Sequence, residues 1–135
     1  MKRAILFILC CVCVVSYAKD IDGWTHMSSK KEGKSFIKKD SIKSVGKYRQ
    51  ALILLSFNEA QTINNKKYYS AVYLYKYDCQ NKMTFINKSI AYEKPMAKGK
   101  IIVNESSDSN KLESVAPDSI GEIQLKYVCL YKIGK

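Results

Sequence analysis

The stretch from Tyr68 to Cys79, YYSAVYLYKYDC, constrains the fold more than any other part of this chain. It holds five tyrosines among twelve residues and closes on a cysteine. Aromatic and β-branched residues at this density argue for an extended strand, in which alternate side chains share a face. Tyr69, Ala71, Tyr73, Tyr75, Tyr77 and Cys79 then fall on one face. Tyr68, Ser70, Val72, Leu74, Lys76 and Asp78 fall on the other. The tyrosines form either core or an exposed aromatic platform, and the partner of Cys79 decides between the two.

The partner depends on the compartment. Lys2 and Arg3 precede an apolar run over 4–15, and Ser16-Tyr17-Ala18 places small residues where a signal peptidase needs them. This reads as a signal peptide over 1–18, cut after Ala18, leaving a single domain over 19–135. No second long apolar run follows, so no transmembrane span is expected. Cys10, Cys11 and Cys13 leave with the peptide, and Cys79 and Cys129 remain. Two cysteines in an exported chain are expected to pair; two free thiols or a thiol-bound metal are the other arrangements. A bridge closing a loop of this length stabilises the fold by roughly 4 kcal/mol in the chain-entropy model.

Strand signals recur along the chain, over 24–29, 35–40, 50–57, 69–78, 84–92 and 100–104. Turn-forming segments such as SVGKY, NNKK and KPMAKG separate them, which predicts an antiparallel meander. Gln80-Asn81-Lys82 is expected to make a tight hairpin. Near the C-terminus the period changes: Ile120, Ile123, Tyr127 and Tyr131 recur at three- and four-residue steps, the spacing of a helix. Asp118 or Ser119 can cap it and Glu122 suits its first turn, while Gly121 weakens it. The expected class is α+β, an antiparallel sheet of about six strands with a C-terminal helix packed on one face. If Cys79 bonds Cys129, the bridge ties that helix to the sheet and the tyrosine face looks towards it. Tyr73, Tyr75, Tyr77, Ile120, Ile123 and Tyr127 are then structural core. The run ALILLSF, 51–57, is apolar on both faces, and one helix covers only one face. The sheet must curl on itself or a second copy must pack there; a homodimer is the expectation.

Charge is unevenly placed. Removing Lys2 and Arg3 lowers the formal net charge from +11 to +9, and Arg49 is the one arginine left. Residues 30–100 hold sixteen basic and five acidic side chains, whereas 101–125 hold one and five. A lysine-rich surface attracts polyanions without specifying them. Lys66, Lys67, Lys76, Lys82 and Lys88, around the central hairpin, are the candidate ligand contacts. Nucleic-acid readers rely on arginine and on motifs absent here, so nucleic acid is not an expected partner.

Catalytic chemistry finds no foothold. His26 is the single histidine, no serine lies in a Gly-x-Ser-x-Gly context, and no glycine loop suits a phosphate. Carboxylates are scattered, and ligands for a conventional zinc site are lacking. The chain reads as a binding or structural protein without cofactor or metal, and not as an enzyme.

The ordered residues Trp24, Asp40-Ser41-Ile42, YSAVYLYKYDC, Tyr92, Met96, Gly99, VAPDSI and a final Val128-Cys129 resemble the bacterial surface-adhesin protein E family. The resemblance spans 24–129. It implies a sheet with an attached C-terminal helix, one disulfide between the two cysteines, and a dimer. It also implies adherence to host cells through extracellular-matrix and serum proteins such as vitronectin and laminin. One departure concerns anchoring. A lipidated cysteine needs a small residue before it, but Leu9, Cys10 and Val12 precede Cys10, Cys11 and Cys13. A lipid anchor is therefore not expected, leaving the periplasm, the cell surface or the medium. The first functional reading is an adhesin-like protein whose lysines meet host proteins or acidic glycans. A periplasmic accessory module without a host ligand is the second. A secreted inhibitor of a host hydrolase is the third, disfavoured for a basic target such as lysozyme by like-charge repulsion.

Overall fold

The computed structural model describes residues 20–107 and 111–134; the signal peptide expected over 1–18 lies outside them. Strands β1 (Thr25–Lys30), β2 (Gly33–Val45), β3 (Tyr48–Ile63), β4 (Lys66–Asp78), β5 (Met83–Lys94) and β6 (Lys98–Ser106) form an antiparallel meander in that order. The two-residue β7 (Glu113–Ser114) adds to β5, and helix α1 (Ile120–Leu130) follows. Among the described residues no helix is long and apolar enough to cross a membrane.

Each of the six predicted strands is present, and several run longer than their apolar signal. β2 passes through Asp40-Ser41-Ile42 because Ser41 repairs the ladder where the register shifts between Lys38 and Lys43. Its hydroxyl donates to the Lys38 carbonyl and accepts the Leu52 amide at 2.8 Å. Ile42 then enters the core. The β3–β4 connection is Asn64-Asn65, both at positive φ (49° and 61°). Asparagine tolerates that region, and paired left-handed residues match the twist of a hairpin. At the β4–β5 turn the Asp78 carboxylate accepts from the Asn81 amide at 3.1 Å and from Asn81 Nδ2 at 2.9 Å. Gly33 lies so close to β3 that a Cβ on it would sit 2.2 Å from the Ser56 carbonyl oxygen.

The first core lies on the tyrosine face. Ile37, Ile42, Ala51, Ile53 and Tyr77 are buried there with Leu125 and Val128 of α1, and Tyr75 packs against them. The Cys79–Cys129 disulfide, with 5.7 Å between Cα atoms, joins the end of β4 to the helix. Ser119 is the N-cap, accepting the Glu122 amide at 3.2 Å.

The bridge also fixes the rotation of the helix, and this corrects the expected helix face. With Cys129 held at the strand end, Leu125 one turn earlier and Val128 beside it point at the sheet. Ile120 and Tyr127 are only partly buried, and Ile123 is 40% exposed. Of the stripe read as core, Tyr127 and Tyr131 pack at the edge of this cluster, and Ile123 faces outward. On β4, Tyr77 is fully buried while Tyr73 and Tyr75 are partly so.

Part of the opposite sheet face is covered from within the chain. Phe36, Leu54 and Val72 are buried under Trp24, Tyr92, Met96 and Ala97. The β5–β6 turn is clasped over them by two serines that are cross-strand partners, Ser56 and Ser70. Ser70 Oγ donates to the Lys94 carbonyl at 2.6 Å and accepts the Ala97 amide at 2.9 Å, and Ser56 Oγ accepts the Met96 amide at 3.2 Å. These bonds hold Met96 and Ala97 at φ of 59° and 56°, a region that strongly favours glycine. Trp24 and this turn cover Phe36, Leu54 and Val72, while Leu52 and Leu74 on the same face stay partly exposed.

Candidate ligand-binding surface

Beyond the clasped turn, the same face is open. Directly paired residues of antiparallel strands project on one side of the sheet, so the register assembles rows across it. One row runs Lys38–Leu52–Leu74–Lys88. Its neighbour runs Lys43–Gln50–Lys76–Phe85. Leu52 and Leu74 are partly exposed, with lysines at both ends of their row. Neither row contains a carboxylate, and none of the four lysines is in an ion pair among the described residues.

Aromatic rings hold the cationic heads in place. Lys76 Nζ sits 5.6 Å from the centre of the Phe85 ring and Lys47 Nζ 5.2 Å from that of Tyr48. Tyr48 meets Phe85 edge-on at 5.4 Å. Such contacts are electrostatic and leave the ammonium free to take a further acceptor. Asp78, beside this patch, is already occupied: its hydrogen bonds from Asn81 hold the carboxyl below the usual carboxylate range, helped by the field of Lys47.

Of the five lysines expected to meet a ligand, the register brings Lys76 and Lys88 together. Lys66 and Lys67 sit at the far end of β4, opposite Ile63 and Thr62, and Lys82 lies in the β4–β5 turn. Lys38 and Lys43 join the site although sequence reasoning did not select them. Their place depends on the β2–β3 register and on the irregularity at Ser41, which no local pattern encodes. His26 is structural in its contacts, edge-on to Phe36 and hydrogen-bonded to Ser29.

The helix side offers clefts instead. One, of about 290 Å³, opens beside Tyr75, Thr84, Glu113, Ile120 and Gln124. Burial pushes the Tyr75 hydroxyl up, and Glu113 adds to the shift. Among the described residues no group of three His, Cys, Asp or Glu side chains is placed to hold a metal ion.

An antiparallel meander ending in a disulfide-tethered helix agrees with a wider comparison. The profile of the surface-adhesin protein E family matches residues 24–130. This chain belongs to that family. Three solved structures of Haemophilus influenzae protein E share the fold. One aligns with a TM-score of 0.60 at 12% identity, covering 84% of this chain and 91% of that one. A second gives 0.59 at 12%, covering 84% and 88%. A third, from a non-typeable strain, gives 0.55 at 13%, covering 84% and 79%. A search of curated protein sequences finds no match. At these identities the structural likeness speaks for the fold alone. Family membership supports a surface adhesin, and with it an exported protein.

Proposed function

We propose that this surface adhesin, exported by the leader over 1–18, binds acidic patches on host extracellular-matrix or serum proteins through the lysine face of its sheet. The observation that carries the reading is the pair of adjacent rows in which Lys38, Lys43, Lys76 and Lys88 surround Leu52 and Leu74 without a carboxylate. Crowded ammonium groups repel one another, and an acidic partner relieves that repulsion as it docks. The leucines between them suit a protein surface, which offers apolar side chains as well as charge, better than a purely ionic glycan.

The test uses residues 19–135 against immobilised laminin and vitronectin, with heparin as a purely anionic probe. Changing Lys38, Lys43, Lys76 and Lys88 to Glu is expected to lower protein binding by at least about tenfold, and added salt to weaken it further. Lys66→Glu with Lys67→Glu is expected to change it little. Binding that survives both high salt and the fourfold change would refute the lysine face as the contact.

A further inference from the structure

We infer that the cleft between the sheet and the N-terminal half of α1 binds a small organic cation, a primary ammonium carried on a short apolar stem. The cleft holds about 290 Å³, at the small end of the range for ligand pockets. Leu55 and Ile120 give it apolar walls and Tyr75 an aromatic one, while Thr84, Glu113 and Gln124 bring polar groups to it.

Gln124 is the residue that asks for a ligand. It is buried on the inner side of the helix with Leu125 and Val128, at 4% exposure. Its side-chain amide nevertheless has no hydrogen-bond partner among the described residues. Buried polar groups in folded proteins are nearly always bonded, and this one lines the cleft. A molecule seated there would complete it.

Register supplies the charge. Tyr77, Thr84 and Glu113 are cross-strand partners in one row, so Glu113 turns to the helix side of the sheet. Its carboxylate is in no ion pair among the described residues, and it acts through space on the Tyr75 hydroxyl. Lys111 lines an adjoining cleft with Glu113 and Tyr75 but does not pair with the carboxylate. Among the described residues no basic side chain lines the 290 Å³ cleft itself. A carboxylate beside an aromatic ring selects an ammonium over a neutral or anionic group. Leu55 and Ile120 take the stem, and the Gln124 carbonyl accepts from the ammonium. Residues 101–125, with five acidic side chains and one basic, give this side a field opposite to that of the lysine rows.

The lip of the cleft is already formed. The Val115 amide donates to the Lys82 carbonyl at 3.2 Å, and Ser119 Oγ donates to the Ala116 carbonyl at 2.6 Å. These bonds fix the chain between β7 and α1, so an entering ligand does not have to order it.

Titration of isotope-labelled residues 19–135 with phenethylamine at neutral pH, followed by amide NMR, tests the inference. Phenethyl alcohol is the uncharged probe of the same size. The amine is expected to produce saturable shifts at Thr84 and at the Gln124 side-chain amide, with a dissociation constant of about a millimolar or tighter. The alcohol should bind at least about tenfold more weakly. Glu113→Gln removes the charge from an exposed position and is expected to weaken the amine about tenfold while leaving the alcohol unchanged. Gln124→Leu keeps the volume but removes the amide, and should weaken the amine severalfold; an unchanged or raised melting temperature checks that this variant folds. No saturable shift up to about ten millimolar amine overturns the inference. So does equal binding of the alcohol, or amine binding that either Glu113→Gln or Gln124→Leu leaves unchanged. Lys76→Glu, on the opposite sheet face, should leave amine binding intact, so this cleft and the proposed ligand contact stand or fall separately.

Discussion

Arg49 donates its Nη1 to the Val128 carbonyl, 2.9 Å away, and to the Tyr131 carbonyl at the close of α1. The last turn of a helix exposes unpaired carbonyls and the negative end of its dipole, and α1 has no basic residue of its own there. Arg49 supplies the missing cation from β3 and ties helix to sheet a second time. Arg49→Ala is expected to cost about 1.5–3 kcal/mol by urea unfolding, with faster amide exchange in the last turn of α1. Lysine offers a single mobile point charge, so Arg49→Lys should recover only part of that loss. Full stability in the alanine variant would show that the contact is dispensable.

Breaking the covalent tie should cost more. Cysteines 79 and 129 are 50 residues apart in sequence, and cross-linking a loop of that length stabilises by roughly 4 kcal/mol in the chain-entropy model. Cys79→Ser with Cys129→Ser is expected to lower the melting temperature by roughly 10–20 °C. Reducing the wild type should reproduce the effect.

Two glycines predict opposite outcomes. Gly33→Ala forces a methyl group against the Ser56 carbonyl and should destabilise by more than about 2 kcal/mol, by chemical denaturation. At Gly121 a Cβ would meet only Ser119 Oγ at 3.5 Å and Val115 Cγ1 at 3.6 Å, both ordinary contacts. Alanine is the better helix former, so Gly121→Ala should stabilise by about 0.5–1 kcal/mol.

The tyrosine face sets an alkaline limit. Burial, then the neighbouring Tyr68 and Tyr75, pushes Tyr73 up to about 12, and burial raises Tyr77 well above the ordinary phenol range. An unfolded tyrosine ionises near 10, so above that pH the unfolded chain loses protons first. The contribution is complete below pH ~10 and is lost as pH rises towards ~12, with no effect near neutrality. Phenolate absorbance should show tyrosines titrating together with unfolding, and Tyr73→Phe should flatten the slope. The Tyr77 hydroxyl is buried without a hydrogen-bond partner among the described residues. Tyr77→Phe should therefore keep or raise stability, by up to about 1 kcal/mol; a clear loss would reveal an unseen acceptor.

Much of this fold was legible because its signals are local. The period-two run from Tyr69 to Tyr77 marked β4, and the parity that put Cys79 with Tyr77 placed the helix on the right face. Rotation of α1 was not legible, because Leu125 with Val128 and Ile120 with Ile123 are both apolar pairs. Only the strand end that receives Cys129 decides between them. The β5–β6 turn hid its covering role, since Ser56 and Ser70 look polar until the register sets them under Met96 and Ala97. Cross-strand register likewise separated Lys76 and Lys88 from Lys66 and Lys67, although all lie along one hairpin.

β4 carries two tasks on alternate residues: Tyr73, Tyr75 and Tyr77 turn to the helix side, Leu74 and Lys76 to the open side. The two sets share a backbone but no environment. Under the proposed ligand contact, substitutions at Leu74 and Lys76 retune what the protein recognises, while the odd positions, together with buried Ser70 and Val72, keep it folded. The same interleaving makes the strand intolerant of insertion, because a slip of one residue would exchange the sets and end folding and recognition together. Under the proposed contact, ligand preference drifts by replacement at Leu74 and Lys76, but not by change of length, within β4.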